Sequence, residues 1–165
     1  MDSKNYILNK DVAARKMLRM AYEILENNMD EKEIILAGIR ESGSVVARCI
    51  QRCLQEISGL KISMLTITLD KKQPREVSVL PAMDFNNKVI VIVDDVANSG
   101  RTMLYAIKPF LDFFPKKIQT LVLVERSHNH FPVRPDYVGL SISTTLQEHI
   151  YVEVEGEEVI GAFLQ

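Results

Sequence analysis

Asp94 and Asp95 stand side by side at the end of an uninterrupted aliphatic run, Val89-Ile-Val-Ile-Val93, and Asn98-Ser-Gly-Arg-Thr102 follows almost at once. Adjacent carboxylates accept hydrogen bonds from vicinal hydroxyls. A short Ser/Gly/Thr loop opening into a helix offers backbone N–H groups and hydroxyls to an anion. Together they suit a sugar phosphate, with the anion on the loop and the hydroxyls on the acids. One Asp after a strand is a common helix N-cap, but two in succession before Ser-Gly-x-Thr ask for more than a cap. The chain has neither G-x-x-x-x-G-K-[ST] nor G-x-G-x-x-G, so neither a Walker nucleotide site nor a dinucleotide fingerprint accounts for the segment.

Such a pair of acids must be delivered by a buried strand and followed by a helix. An unbroken aliphatic run flanked by polar turns reads as a parallel strand covered on both faces, and ligands of open α/β sheets bind beyond the carboxyl ends of such strands. The rest of the chain supplies more units of this kind. Ala13, Met17, Met20, Ala21 and Ile24 recur at helical spacing and predict a helix over 11–28 with Asp11 as N-cap. A strand over 33–37 exits through Gly38-Ile-Arg-Glu-Ser-Gly43 into a helix over 44–57. Residues 61–69 read as a strand with one wetter face, a candidate sheet edge, and 70–87 as a long charged loop of the kind that is more often functional than idle. After the acid pair come a helix over 101–113, a buried strand over 117–124, a loop over 125–135, a strand over 136–140 and two closing strands near 150–154 and 158–160. The alternation predicts an α/β fold, a single doubly wound parallel sheet with flanking helices, over 1–165.

Composition narrows the function classes. With 165 residues, 47% of them hydrophobic, one well-filled core is expected. A net charge of −2 provides no global basic field for nucleic acid. No apolar stretch approaches a membrane span and Met1-Asp-Ser-Lys4 opens no signal peptide, so a cytoplasmic protein is expected. Cys49 and Cys53 lie one helical turn apart with no second ligand pair, which predicts buried or half-buried thiols rather than a metal site. His128, His130 and His149 are scattered and none joins a nucleophile.

The acid-pair segment resembles the phosphoribosyl-pyrophosphate (PRPP) motif of the type I phosphoribosyltransferases. Beyond it, Tyr6-Ile-Leu8, Gly38 to Gly43, Thr66-Ile-Thr-Leu69, Val124-Glu-Arg-Ser-His128 and Pro132 to Gly139 are similar, in order and spacing, to the bifunctional pyrimidine-operon regulator and uracil phosphoribosyltransferase family. The resemblance implies that Asp94 and Asp95 engage the ribose hydroxyls while Ala97, Asn98, Ser99, Gly100, Arg101 and Thr102 cradle the 5′-phosphate. It implies a pyrophosphate loop at Ile39, Arg40, Glu41 and Ser42, whose flanking glycines permit unusual backbone angles. A closing loop would bear Lys71, Lys72 and Arg75, and a small hood would hold the base through Val133, Arg134, Tyr137 and Val138. Magnesium would arrive with PRPP rather than on a protein cluster, and family members commonly pair as dimers.

The implied reaction joins PRPP and uracil to give uridine monophosphate (UMP) and pyrophosphate. In the hypoxanthine and guanine enzymes an aspartate stands where this chain has Asn98, and a lysine where it has Glu125. An amide does not take up a proton at neutral pH and a carboxylate does not donate to an oxo group, so a purine substrate is the weaker reading. Two departures keep a third reading open, a catalytically weak PRPP or nucleotide sensor that binds RNA. The segment between Leu69 and Lys88 is shorter than the family's closing loop. Of the RNA-binding helix only Arg15 and Arg19 match, with Leu18 and Tyr22 where a threonine and a histidine would stand; an exposed arginine pair is also an ordinary solvated helix face.

Overall fold

Residues 89–93 are buried on both sides, as an aliphatic run without polar alternation requires. Val89, Val91 and Val93 enter one core cluster, and Ile90 and Ile92 the other. The computed structural model describes residues 4–165. In chain order these form β1 (Asn5–Leu8), α1 (Lys10–Asn27), β2 (Glu33–Ile39), α2 (Ser42–Ile57), β3 (Lys61–Leu69), β4 (Val77–Leu80) and β5 (Val89–Ala97). They continue with α3 (Arg101–Ile107), a 3-10 turn (Lys108–Asp112), β6 (Lys117–Arg126), β7 (Tyr137–Ile142), β8 (Ile150–Glu155) and β9 (Glu158–Leu164).

The main sheet has six strands in the order β4-β3-β2-β5-β6-β7. All neighbours are parallel except β3 and β4. Helices α1 and α2 cover one face through Met17, Met20, Ile24, Val46, Ile50 and Leu54. The other face is closed by Met103, Ala106, Phe110 and Phe85, whose rings meet edge to face at 4.8 Å between centroids. The doubly wound expectation therefore describes this sheet, with an antiparallel strand added at one edge.

That added strand corrects two sequence expectations. Residues 77–80 pair with 66–69 although they lie in the stretch read as loop, so β3 is not the edge. The cause is the alternation Val77, Ser78, Val79, Leu80, too short to stand out beside Pro74 and Pro81. The cap of α1 is Asn9, whose Oδ1 accepts from the Val12 N–H at 2.8 Å, rather than Asp11. Asp11 sits in the first turn, where its charge still meets the positive end of the helix. Helix α3 is shorter than expected because it tightens to 3-10 geometry where Pro109 enters.

A separate three-stranded sheet, ordered β1-β9-β8 and antiparallel throughout, brings the two ends of the chain together. Tyr6 pairs opposite Phe163 and their rings lie 5.6 Å apart, while Tyr151 stacks on Phe163 from the other side at 5.4 Å. This sheet packs on α1 and α2 and carries the start of β8 to the mouth of the main sheet. Among the described residues no helix is long and apolar enough to cross a membrane.

Candidate active site

The chain leaves β2 toward β3 and returns to β5 before moving outward to β6 and β7, so β2 and β5 are adjacent while their connections run in opposite directions. This makes the crevice beyond their carboxyl ends the topological switch point where open α/β sheets hold ligands. The acid pair stands near the end of β5, and the start of α2 lies against it.

Gly43 ties the two loops together. A Cβ on Gly43 would lie 2.9 Å from the Val93 carbonyl oxygen and 3.0 Å from Asp94 Oδ1, so only glycine lets α2 begin against the acid. Gly38, in β2, also permits a close approach, since its Cβ would meet the Ser44 Cα at 2.7 Å. Neither glycine has a positive φ. Their use is close approach rather than the unusual backbone angles expected from the sequence.

Asp94 is 2% exposed and its neighbour half-buried. Backbone amides fold back on both: Asp95 N donates to Asp94 Oδ1 at 2.9 Å and Val96 N to Asp95 Oδ1 at 2.8 Å. Burial pushes the Asp94 carboxyl well above the ordinary carboxylate range; Asp95 adds to that push and Lys71 opposes it. The Lys71 ammonium lies 3.2 Å from Asp94 Oδ1 and 3.6 Å from Asp95 Oδ1. Burial works against its charge, but the two carboxylates together outweigh burial and raise its pKa.

Residues 97–103 wrap around this centre, and with Asp94, Asp95 and Lys71 they line a cleft of ≈ 610 Å³ including its open mouth. Gly100, at φ 88°, makes the left-handed turn from β5 into α3. The Ser99 hydroxyl accepts from Arg101 N at 3.3 Å, and the Ser99 carbonyl accepts from His130 N and Phe131 N at 3.0 Å each, so the loop after β6 buttresses this turn. All six residues expected to cradle phosphate, Ala97 to Thr102, thus face one cleft with the acid pair.

The other expected groups divide. Ile39 is the last, fully buried residue of β2; Arg40 and Glu41 lie exposed beyond it, joined by a cis peptide bond, and Ser42 starts α2. None of these four lines the cleft. Of the loop cations, only Lys71 enters it, and it meets the acids. Arg75 lines a different groove with Thr68 and Gln73, and Lys72 is exposed.

The expected hood residues are placed differently. Tyr137 is 2% exposed and its hydroxyl donates to Gln119 Oε1 at 2.9 Å, inside a polar cluster completed by Asn28 and Lys117. Its ring therefore belongs to the α1 face of the sheet. Val138 packs on the opposite face; Val133 adjoins the Gly100 turn, and Arg134 is exposed over a shallow groove with His130 and Pro132. The apolar side of the cleft comes instead from Val122, Met103 and Ile150, the first residue of β8. Ile150 was missed because it reaches the site only through the small second sheet. Arg126 secures the approach to it by donating to the carbonyls of Thr145 at 3.3 Å and Glu148 at 2.6 Å.

The arginine pair of α1 also separates. Arg19 donates to the carbonyls of Val138 at 3.0 Å and Gly139 at 2.9 Å and pairs with Glu23. It closes the outer edge of β7, a structural use that leaves Arg15 alone on the exposed face. Cys49 is buried and Cys53 half-buried, both as free thiols.

Residues 5–157 match the phosphoribosyl transferase domain. The chain is 34% identical to the bifunctional protein PyrR of Clostridioides difficile (strain 630), with 97% of this chain and 98% of that one covered. It is 36% identical to the bifunctional protein PyrR of Macrococcus caseolyticus (strain JCSC5402), with 92% of each covered. Among solved structures, the hypoxanthine phosphoribosyltransferase of Trypanosoma cruzi superimposes with a TM-score of 0.76 at 14% identity, covering 86% of this chain and 83% of that one. At that identity the likeness concerns the fold.

Proposed function

The chain belongs to the phosphoribosyltransferase family, and we propose that it transfers the ribose 5-phosphate of PRPP to uracil, forming UMP and pyrophosphate. The observation that carries this reading is the meeting of Asp94 and Asp95 with residues 97–102 across one cleft at the switch point of the sheet. A 5′-phosphate on the turn places the ribose hydroxyls toward the acids.

A base nitrogen replaces the pyrophosphate oxygen at the anomeric carbon and gives up its proton. Positive charge grows on the sugar and negative charge on the leaving group, so catalysis is a matter of position and electrostatics. The acids hold the ribose and face its growing charge. Val122, Met103 and Ile150 keep water from the reacting carbon. The donor set fits magnesium brought by PRPP: the adjacent carboxylates of Asp94 and Asp95 border the cleft. Held by Asp94, Asp95 and the substrate's oxygens, the metal would neutralise charge on the leaving pyrophosphate.

Base choice rests on Asn98, which lines the cleft as an amide, and on Glu125, a carboxylate at the end of β6. Asn98 takes up no proton from a purine ring, and Glu125 donates nothing to a purine oxo group. The engagement of Arg19 by β7 carbonyls favours catalysis over RNA binding as the use of this chain. The same reading makes the protein a single-domain cytoplasmic enzyme, with a second copy covering the exposed Leu111 and Phe114.

A panel of uracil, hypoxanthine, guanine, xanthine and adenine, each with PRPP and magnesium, tests the assignment by chromatography of the nucleotide formed. UMP is the expected product. Turnover with a purine and not with uracil overturns the base assignment, and PRPP binding without pyrophosphate release from any base overturns the enzyme in favour of a sensor.

A further inference from the structure

We propose that Lys71 is a built-in counter-cation that occupies the place of a divalent metal on Asp94 and Asp95, so that the ligand-free protein refuses free metal. One ammonium spans both carboxylates, 3.2 and 3.5 Å from the two oxygens of Asp94 and 3.6 Å from Asp95 Oδ1. The acids need it. Their side chains are 3% and 15% exposed, and two adjacent, largely buried negative charges without a partner are costly.

The backbone around Lys71 is fastened so that the ammonium stays there. The Lys71 carbonyl accepts from the Arg101 guanidinium at 3.3 Å, which pins residue 71 to the first turn of α3. Lys108 donates to the Arg75 carbonyl at 3.1 Å, and Lys72 N donates to Asp70 Oδ1 at 2.8 Å, closing the short segment between β3 and β4. Pro74 is buried beneath it. The contacts from Arg101 and Lys108 come from the α3 and 3-10 segment and hold the loop down over the cleft.

A metal ion and the ammonium cannot share the same oxygens, because like charges at contact distance repel. A divalent ion therefore gains the acid pair only when something else takes the lysine's charge. The polyanionic PRPP of the proposed reaction does that within the reach of one lysine side chain. Lys71 is thus a positioning residue that couples metal entry to substrate entry. This coupling rests on the reading of the cleft as a PRPP site; the exclusion of free metal does not.

The probe is Mn²⁺ alone, titrated into the ligand-free protein with no PRPP and no base, with free Mn²⁺ read by electron paramagnetic resonance. Wild type and Lys71→Arg, which keeps the charge, are expected to bind Mn²⁺ at least about tenfold more weakly than Lys71→Met, which keeps the stem and loses the charge. The double variant Lys71→Met, Asp94→Asn is expected to lose the gained binding. Equal affinity in wild type and Lys71→Met overturns the proposal, and so does a gain that survives Asp94→Asn. Because neither substrate is present, this result stands apart from the base panel: the panel can fail while metal exclusion holds, and the reverse.

Discussion

Asp94 and Asp95 are neighbours in the chain with different surroundings, and the difference has consequences for stability. Asp94 is the buried member, its carboxyl raised by burial first and by Asp95 second. A raised pKa means that the native state holds the proton more tightly than the unfolded chain does. The contribution to stability is full below the unfolded value near 3.9 and is lost as pH rises through the higher folded value. At neutral pH the site therefore weighs against folding. Asp94→Asn keeps an oxygen for the Asp95 amide and leaves Lys71 matched to Asp95, so it should stabilise by about 1–2 kcal/mol, raising Tm by roughly 2–8 °C at pH 7.5. Thermal denaturation across pH 4–8 checks this: the gap should shrink as pH falls toward 4, and a variant no more stable than wild type at pH 7.5 would contradict it. The acids and the turn at residues 97–102 were legible in the sequence because they are contiguous and each residue type has its own chemistry. Lys71 was legible as a loop cation but not as a partner of the acids, since nothing in residues 70–76 records which charge they fold against. Tyr137 misled for the opposite reason: an aromatic near a hood motif looks like a base contact, and only its bond to Gln119 shows that it faces the core.

At the scale of elements, the site depends on how closely α2 approaches β5. Gly43 sets that distance, with its missing Cβ 3.0 Å from Asp94 Oδ1. Gly43→Ala must push either the helix start or the carboxylate aside, and the obstacle is strand backbone, which does not yield. The expected outcome is a loss of about 1–3 kcal/mol in denaturant unfolding, with PRPP affinity measured by calorimetry weakened at least about tenfold. Unchanged PRPP affinity in a folded Gly43→Ala protein would show that the α2 start does not set the acid's position. The long strands and helices were readable from periodicity, because burying one face imposes it. The short strands were not. Residues 5–8 and 77–80 become strands only by pairing with segments already in place, 162–164 for the first and 66–69 for the second, and four residues carry too little pattern to announce a partner. Arg19 belongs here as well: its two bonds to β7 carbonyls are an edge-strand device that its exposed helical position conceals.

For the whole molecule, the order β4-β3-β2-β5-β6-β7 converts a string of local motifs into one site. The strand that carries Asp94 and the strand ending in Ile39 are separated by about fifty residues of chain, yet lie side by side because the connections diverge from that point. The small sheet then folds the chain's last strands back over the opening and supplies Ile150 to its apolar wall. A sequence read segment by segment gives the acids, the turn and the fold class; the wall and the resident cation need the closed fold. The proposed reaction needs these parts to work together on one substrate pair. Its most direct test is the uracil-dependent release of pyrophosphate from PRPP with magnesium, compared between wild type and Asp95→Asn. Steady turnover by the wild type and a loss on the order of 100-fold or more in the variant are predicted, with the circular dichroism spectrum unchanged. No uracil-dependent pyrophosphate from the wild type, or an undiminished rate in Asp95→Asn, would contradict it.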